Sequence, residues 1–71
     1  MLELNWRLIS QAGEIRRQSN VMMPSLSAIW RELAAVADNF GHPGEVLQVL
    51  DPHGDLIIRV GVATARSAAG R

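Results

Sequence analysis

The sequence predicts an α+β fold of ββαββ order, an antiparallel sheet of about four strands with one amphipathic helix packed on one face. Three observations carry this prediction. Leu2, Leu4, Trp6 and Leu8 alternate with Glu3, Asn5 and Arg7, the period of two that marks a half-buried strand. Leu26, Ile29, Trp30, Leu33, Val36, Ala37 and Phe40 recur at the spacing of one helix face. Two apolar, β-branched runs, 46–50 and 56–62, flank Asp51-Pro52-His53-Gly54-Asp55, whose proline and glycine suit a hairpin turn with a left-handed residue.

Taken in order, the first strand ends at a turn centred on Gly13. A second, more polar strand follows over 15–21, and its weak alternation suits a sheet edge. A rival reading makes 2–21 a helix, because Leu2, Trp6, Ile9, Ala12 and Ile15 are also spaced by three and four; Gly13 would cost that helix about 1 kcal/mol relative to alanine. Ser25 is the expected N-cap of the central helix. Gly41 is its expected left-handed C′ residue, and Pro43 blocks continuation. The hairpin completes a single domain over 1–62. Residues 63–71 are small, polar and aperiodic and are expected to be disordered.

The predicted core joins Leu2, Leu4, Trp6 and Leu8 to Leu26, Ile29, Trp30, Leu33 and Phe40. Leu56, Ile58, Val60 and Val62 complete it. One helix cannot cover both faces of a four-stranded sheet. Ile57, Leu47 or Val49 are therefore candidates for an exposed apolar patch, the kind of surface that pairs with another chain.

Composition narrows the function. The 71 residues hold no cysteine, which excludes disulfides and thiolate metal sites. Seven arginines balance four glutamates and three aspartates, and this neutrality argues against a nucleic-acid binder, whose affinity comes largely from phosphate neutralisation. A chain this short has little core to spare for an enclosed substrate pocket. The first residues lack the pattern of a signal peptide, and no apolar run approaches the roughly 20 residues of a membrane span. The expected location is cytoplasmic.

Candidate sites are few. His53 between Asp51 and Asp55 could touch a metal, but a turn uses these residues for backbone reasons, and metal sites need three or four convergent ligands. Gly41 and Gly44 follow a helix, whereas phosphate-cradling glycines precede one. No metal, cofactor or small-molecule ligand is assigned, and no nucleophile–base pattern or zinc motif is legible. Arg7 and Arg59 fall on the sheet face away from the helix, and one of Arg16 and Arg17 can join them. Such a row could contact phosphates; the plain alternative is a solvated face balanced by Glu3, Glu14 and Glu45. Trp6 and Trp30 are expected to meet in the core, with an interface anchor as the alternative.

The order of residues resembles a group of short bacterial domains of unknown function. The likeness rests on Trp6-Arg7-Leu8, Leu26-Ser27-Ala28, Ala34-Ala35-Val36-Ala37 and the hairpin Val49-Leu50-Asp51-Pro52-His53-Gly54-Asp55-Leu56. It implies the strand–strand–helix–strand–strand order and no activity. The leading functional expectation is a non-enzymatic protein-interaction domain that pairs with itself through a sheet edge or face. The alternative is a nucleic-acid-associated regulator using Arg7, Arg16 and Arg59. A third reading places an enzyme site between subunits around His53, Asp51 and Asp55.

Overall fold

The computed structural model describes residues 1–68. The elements run β1 (Leu2–Ile9), β2 (Ile15–Met23), a 3-10 turn (Leu26–Ala28), α1 (Ile29–Phe40), β3 (Val46–Leu50), β4 (Leu56–Gly61) and α2 (Val62–Ala68). The four strands form one antiparallel sheet in the order β2-β1-β3-β4. The ββαββ expectation therefore holds, and the helical reading of 2–21 does not. Gly13 decides between the two. Its φ of 87° is open to glycine at little cost, and the turn closes with the Ser10 amide donating to the Glu14 carbonyl at 2.8 Å.

Both helices lie on the same side of the sheet. Leu4, Trp6 and Leu8 of β1 point toward them, joined by Leu47 and Val49 of β3 and by Ile29, Leu33, Val36 and Ala37 of α1. Each large side chain so buried contributes about 1.5–3 kcal/mol of transfer free energy. Trp6 also ties the layers together, its indole N–H donating to Glu32 Oε2 on α1 at 3.1 Å. Trp30 is half-buried against this core.

Several expectations are corrected. Leu47 and Val49 are buried in the core and are not left outside. Leu2, Leu26 and Phe40, expected inside, are exposed at the ends of their stripes, where the opposing layer has run out, and Leu56 is exposed because a register shift between Val49 and Leu50 pairs it with Leu50 on the sheet face away from the helices. The helix does not start on a serine cap: Ser25 Oγ meets Ser27 Oγ at 3.1 Å instead of an amide, and a 3-10 turn leads into α1. Gly41 is extended, with φ −78° and ψ 140°, and the left-handed glycine is Gly44 at φ 84°. Glycine is required at 41 by close approach, since a Cβ there would lie 2.6 Å from Val62 Cγ1 and 2.7 Å from the Ala37 carbonyl.

That contact belongs to the largest departure. Residues 63–68, expected to be disordered, form most of α2, which packs on α1 through Val62 and Ala65. The remaining residues of the expected tail, 69–71, lie outside the described ones. Seven residues make a marginal helix on their own. Packing holds this one, and so does Arg66. Its Nη2 donates to the Ala37 carbonyl at 2.9 Å, and its Nε lies 3.2 Å from Asp38 Oδ1. A cation at the C-terminal carbonyls of α1 is where the helix dipole favours it.

Candidate functional site

The molecule measures 31 × 28 × 16 Å, and its short dimension fits one sheet and one helical layer at about 10 Å between layers. With both helices on one side, the described residues leave the other sheet face uncovered. Strand alternation and register place its side chains in four cross-strand rows. Met22 and Glu3 form the first, and Asn20, Asn5, Leu50 and Leu56 the second. Gln18, Arg7, Gln48 and Arg59 form the third, and Ile15, Ile9 and Val46 the fourth. Polar side chains thus fill the third row and half of the second, where Leu50 and Leu56 complete the row. Apolar side chains border the face at both ends.

The second row is unusual in two ways. Leu50 is only 8% exposed although it stands apart from the helix-side core. Asn5 Nδ2 donates to Asn20 Oδ1 at 2.9 Å and to the Ser19 carbonyl at 3.3 Å, yet among the described residues the buried Asn5 Oδ1 has no partner. Arg7 Nε, two residues along the strand, is buried and unpartnered as well. Such groups carry an unmet desolvation cost of about 1–3 kcal/mol each. Among the described residues, Glu3, Arg7 and Arg59 form no ion pair.

At the Glu3 end of the sheet lies an apolar groove of about 610 Å³. Met1, Leu2, Met22, Leu26, Pro52 and Ile57 line most of it. Five of these are large apolar side chains exposed by 40% or more. Contiguous exposure of this kind marks interaction surfaces more than isolated apolar residues do.

The expected arginine row is only partly assembled. Arg7 and Arg59 share the third row, separated by Gln48. Arg16 and Arg17 are both absent from it. The register shifts between Leu8 and Ile9, so that Arg17 faces Leu8, Ile15 faces Ile9, and Arg16 is the extra residue of a bulge. A bulge re-aims side chains that simple alternation would place. Arg17 lies on the Phe40 ring, its guanidinium carbon 3.7 Å from the centroid, a cation–π contact. Arg16 reaches the end of α1, where Nη1 donates to Glu45 Oε1 at 2.6 Å and to the Phe40 carbonyl at 3.1 Å.

Glu45, expected on a solvated surface, is 5% exposed and joins four parts of the fold. Its carboxylate accepts from Arg16 of β2 and from the His42 amide at 2.8 Å. Its carbonyl accepts from the Val62 amide of α2 at 2.9 Å, and it enters β3 directly. Sequence reading misses this pair because its members lie 29 residues apart and the bulge inverts the expected direction of Arg16.

The turn residues act on the backbone. Asp51 Oδ1 accepts from the His53 and Asp55 amides, both at 2.9 Å, and Gly54 has φ 87°. Among the described residues, no group of three or more His, Asp or Glu side chains is placed to hold a metal, and no helix is long and apolar enough to cross a membrane. No family model, curated protein or solved structure matches the chain.

Proposed function

We propose that this chain is a non-enzymatic protein-interaction domain that pairs with a second copy of itself through the open face of its sheet. The observation that carries the reading is the placement of both helices on one side, which leaves a face whose ends are apolar. An antiparallel sheet can leave one face to water when that face is polar throughout. Here Ile15, Ile9 and Val46 border one end, and the groove of Met22 and Ile57 borders the other. The two polar atoms buried without partners also belong to this face.

Sedimentation analysis over a range of concentrations tests the proposal. The expected result is a mass that rises with concentration from the 7.8 kDa of one chain toward twice that value. Ile9→Arg, on the open face, should hold the chain at the single-chain mass while leaving its circular dichroism unchanged. A wild-type mass that stays at one chain at every concentration would retire the reading.

The row Gln18, Arg7, Gln48 and Arg59 supports a second reading, a nucleic-acid-associated regulator whose cations meet phosphates. With Arg16 engaged by Glu45, two arginines carry it. Titration with duplex and single-stranded oligonucleotides at low salt tests it, and an absence of salt-dependent binding would end it.

A further inference from the structure

We propose that two copies stack their open faces antiparallel about a two-fold axis at Asn5, so that Glu3 of each copy meets Arg7 of the other. This register rests on the self-association reading above. It follows from the order of side chains on β1, a central strand. The open-face positions read Glu3, Asn5, Arg7 and Ile9, so an acid and a base stand two residues to either side of an amide. A two-fold axis along the row of Asn5 reverses the strand and inverts the face. Glu3 is then carried over Arg7 of the second copy, and Arg7 over its Glu3.

The same operation treats the other strands consistently. Asn5, Leu50 and Leu56 share one row, so the axis also passes over β4 at Leu56. Arg59 is thereby carried over the 51–55 turn of the second copy, which bears Asp51 and Asp55. The Ile9 and Val46 end of one copy comes to lie over the apolar groove at the Glu3 end of the other. Stacked sheets stand about 10 Å apart, a gap that an extended arginine and glutamate span together. Glu3, Arg7 and Arg59 are without ion-pair partners among the described residues, so each is available for such a contact. Within one chain Glu3 and Arg7 are four residues apart, about 13 Å along the strand, too far to pair with each other. The charges are complementary only between copies.

Area sets the strength. Four strands at about 4.8 Å and seven residues at about 3.3 Å give a face of roughly 450 Å² per copy, or roughly 900 Å² for the pair. That falls among weak, reversible interfaces, so the association belongs in the micromolar range or above, and it weakens as salt screens the ion pairs.

A charge swap tests the register. Glu3→Arg gives a chain with two bases flanking Asn5, and Arg7→Glu gives a chain with two acids. Each alone should self-associate at least about tenfold more weakly than the wild type, because like charges then face each other. An equimolar mixture should restore association, since both contacts of the mixed pair are again between opposite charges. The double variant Glu3→Arg/Arg7→Glu should pair with itself as the wild type does. Circular dichroism checks that every chain is folded. Should chains carrying Arg7→Glu fail to fold, Glu3→Arg at its exposed position still decides, and unchanged self-association of that variant overturns the register. So does a mixture that associates no better than its components. A wild-type chain that never self-associates sinks the underlying reading instead, whereas one that self-associates but ignores the swap sinks only the register.

Discussion

Replacing Arg16 with methionine leaves the Glu45 carboxylate with one hydrogen-bond donor, the His42 amide at 2.8 Å. The Glu45 side chain is 5% exposed, while the guanidinium it loses was 32% exposed. The two partners therefore respond unequally to loss of the other. Deleting the cation strands a buried anion, which costs about 3–5 kcal/mol for a fully enclosed pair. The solvent already at Arg16 lowers this to about 2–3 kcal/mol. Glu45→Gln keeps an acceptor for the His42 amide and lets Arg16 turn to water, so its cost should be about 1 kcal/mol. For a domain of this size each kcal/mol moves Tm by about 4–8 °C. Arg16→Met should then lower Tm by about 8–24 °C and Glu45→Gln by about 4–8 °C. The double variant should be less damaged than the sum of its parts, with a coupling of about 1–3 kcal/mol. Urea unfolding followed by the fluorescence of Trp6 and Trp30, at one fixed low protein concentration, measures all four chains. Additivity within about 0.5 kcal/mol, or a larger loss for Glu45→Gln than for Arg16→Met, would refute the reasoning.

Two further substitutions probe the packing. Leu33 is fully buried between α1 and the sheet, and Leu33→Ala should cost about 2–5 kcal/mol in the same unfolding assay; a loss under about 1 kcal/mol would mean that α1 does not pack on the sheet through this residue. Gly41→Ala brings a Cβ against Val62 and the Ala37 carbonyl, so it should cost about 1–3 kcal/mol. Its mark should be faster amide exchange over residues 62–68, because α2 is the part that must move. Uniform exchange across the chain would place the strain elsewhere.

The elements legible in the sequence are those whose pattern repeats without interruption. β1 alternates cleanly, α1 keeps its stripe over three turns, and the Asp51 to Asp55 turn requires its residue types for backbone reasons. The sequence reading fails where a local event resets the count. The bulge opposite Leu8 and Ile9 inserts Arg16 into β2, so counting by twos puts Arg16 on the open face, where Ile15 stands instead. β3 offers Gln48 as its one polar residue, set between Val46 and Leu50 on one face and opposite the apolar Leu47 and Val49 on the other. Only pairing with Leu8 and Trp6 shows that Leu47 and Val49 point inward. α2 is too short for a periodic signal, and its two buried residues, Val62 and Ala65, are small. A pair such as Arg16 and Glu45 leaves no trace at all in linear spacing.

The position of α2 has a consequence for the open face. A second helix could have covered the far side of the sheet and closed the fold as three layers. Instead α2 follows β4 directly, packs on α1 and is fastened to its last turn by Arg66. All helical cover is thus spent on the side that Leu4, Trp6 and Leu8 already require. The apolar ends of the open face receive none. Water alone would suit the third row, with its two arginines and two glutamines, but it does not suit Ile9, Val46 and Ile57 arranged on either side of it. A second sheet laid across the first meets both demands, with charge against charge near the centre and apolar ends against one another. Substitutions on the helix side should then change stability in proportion to burial and leave association alone. Glu3→Arg and Ile9→Arg should do the reverse, shifting the association constant while the unfolding midpoint of the single chain stays in place. A common response of both quantities to either class of substitution would mean that the two faces are not independent, and the separation of core from interface would fall.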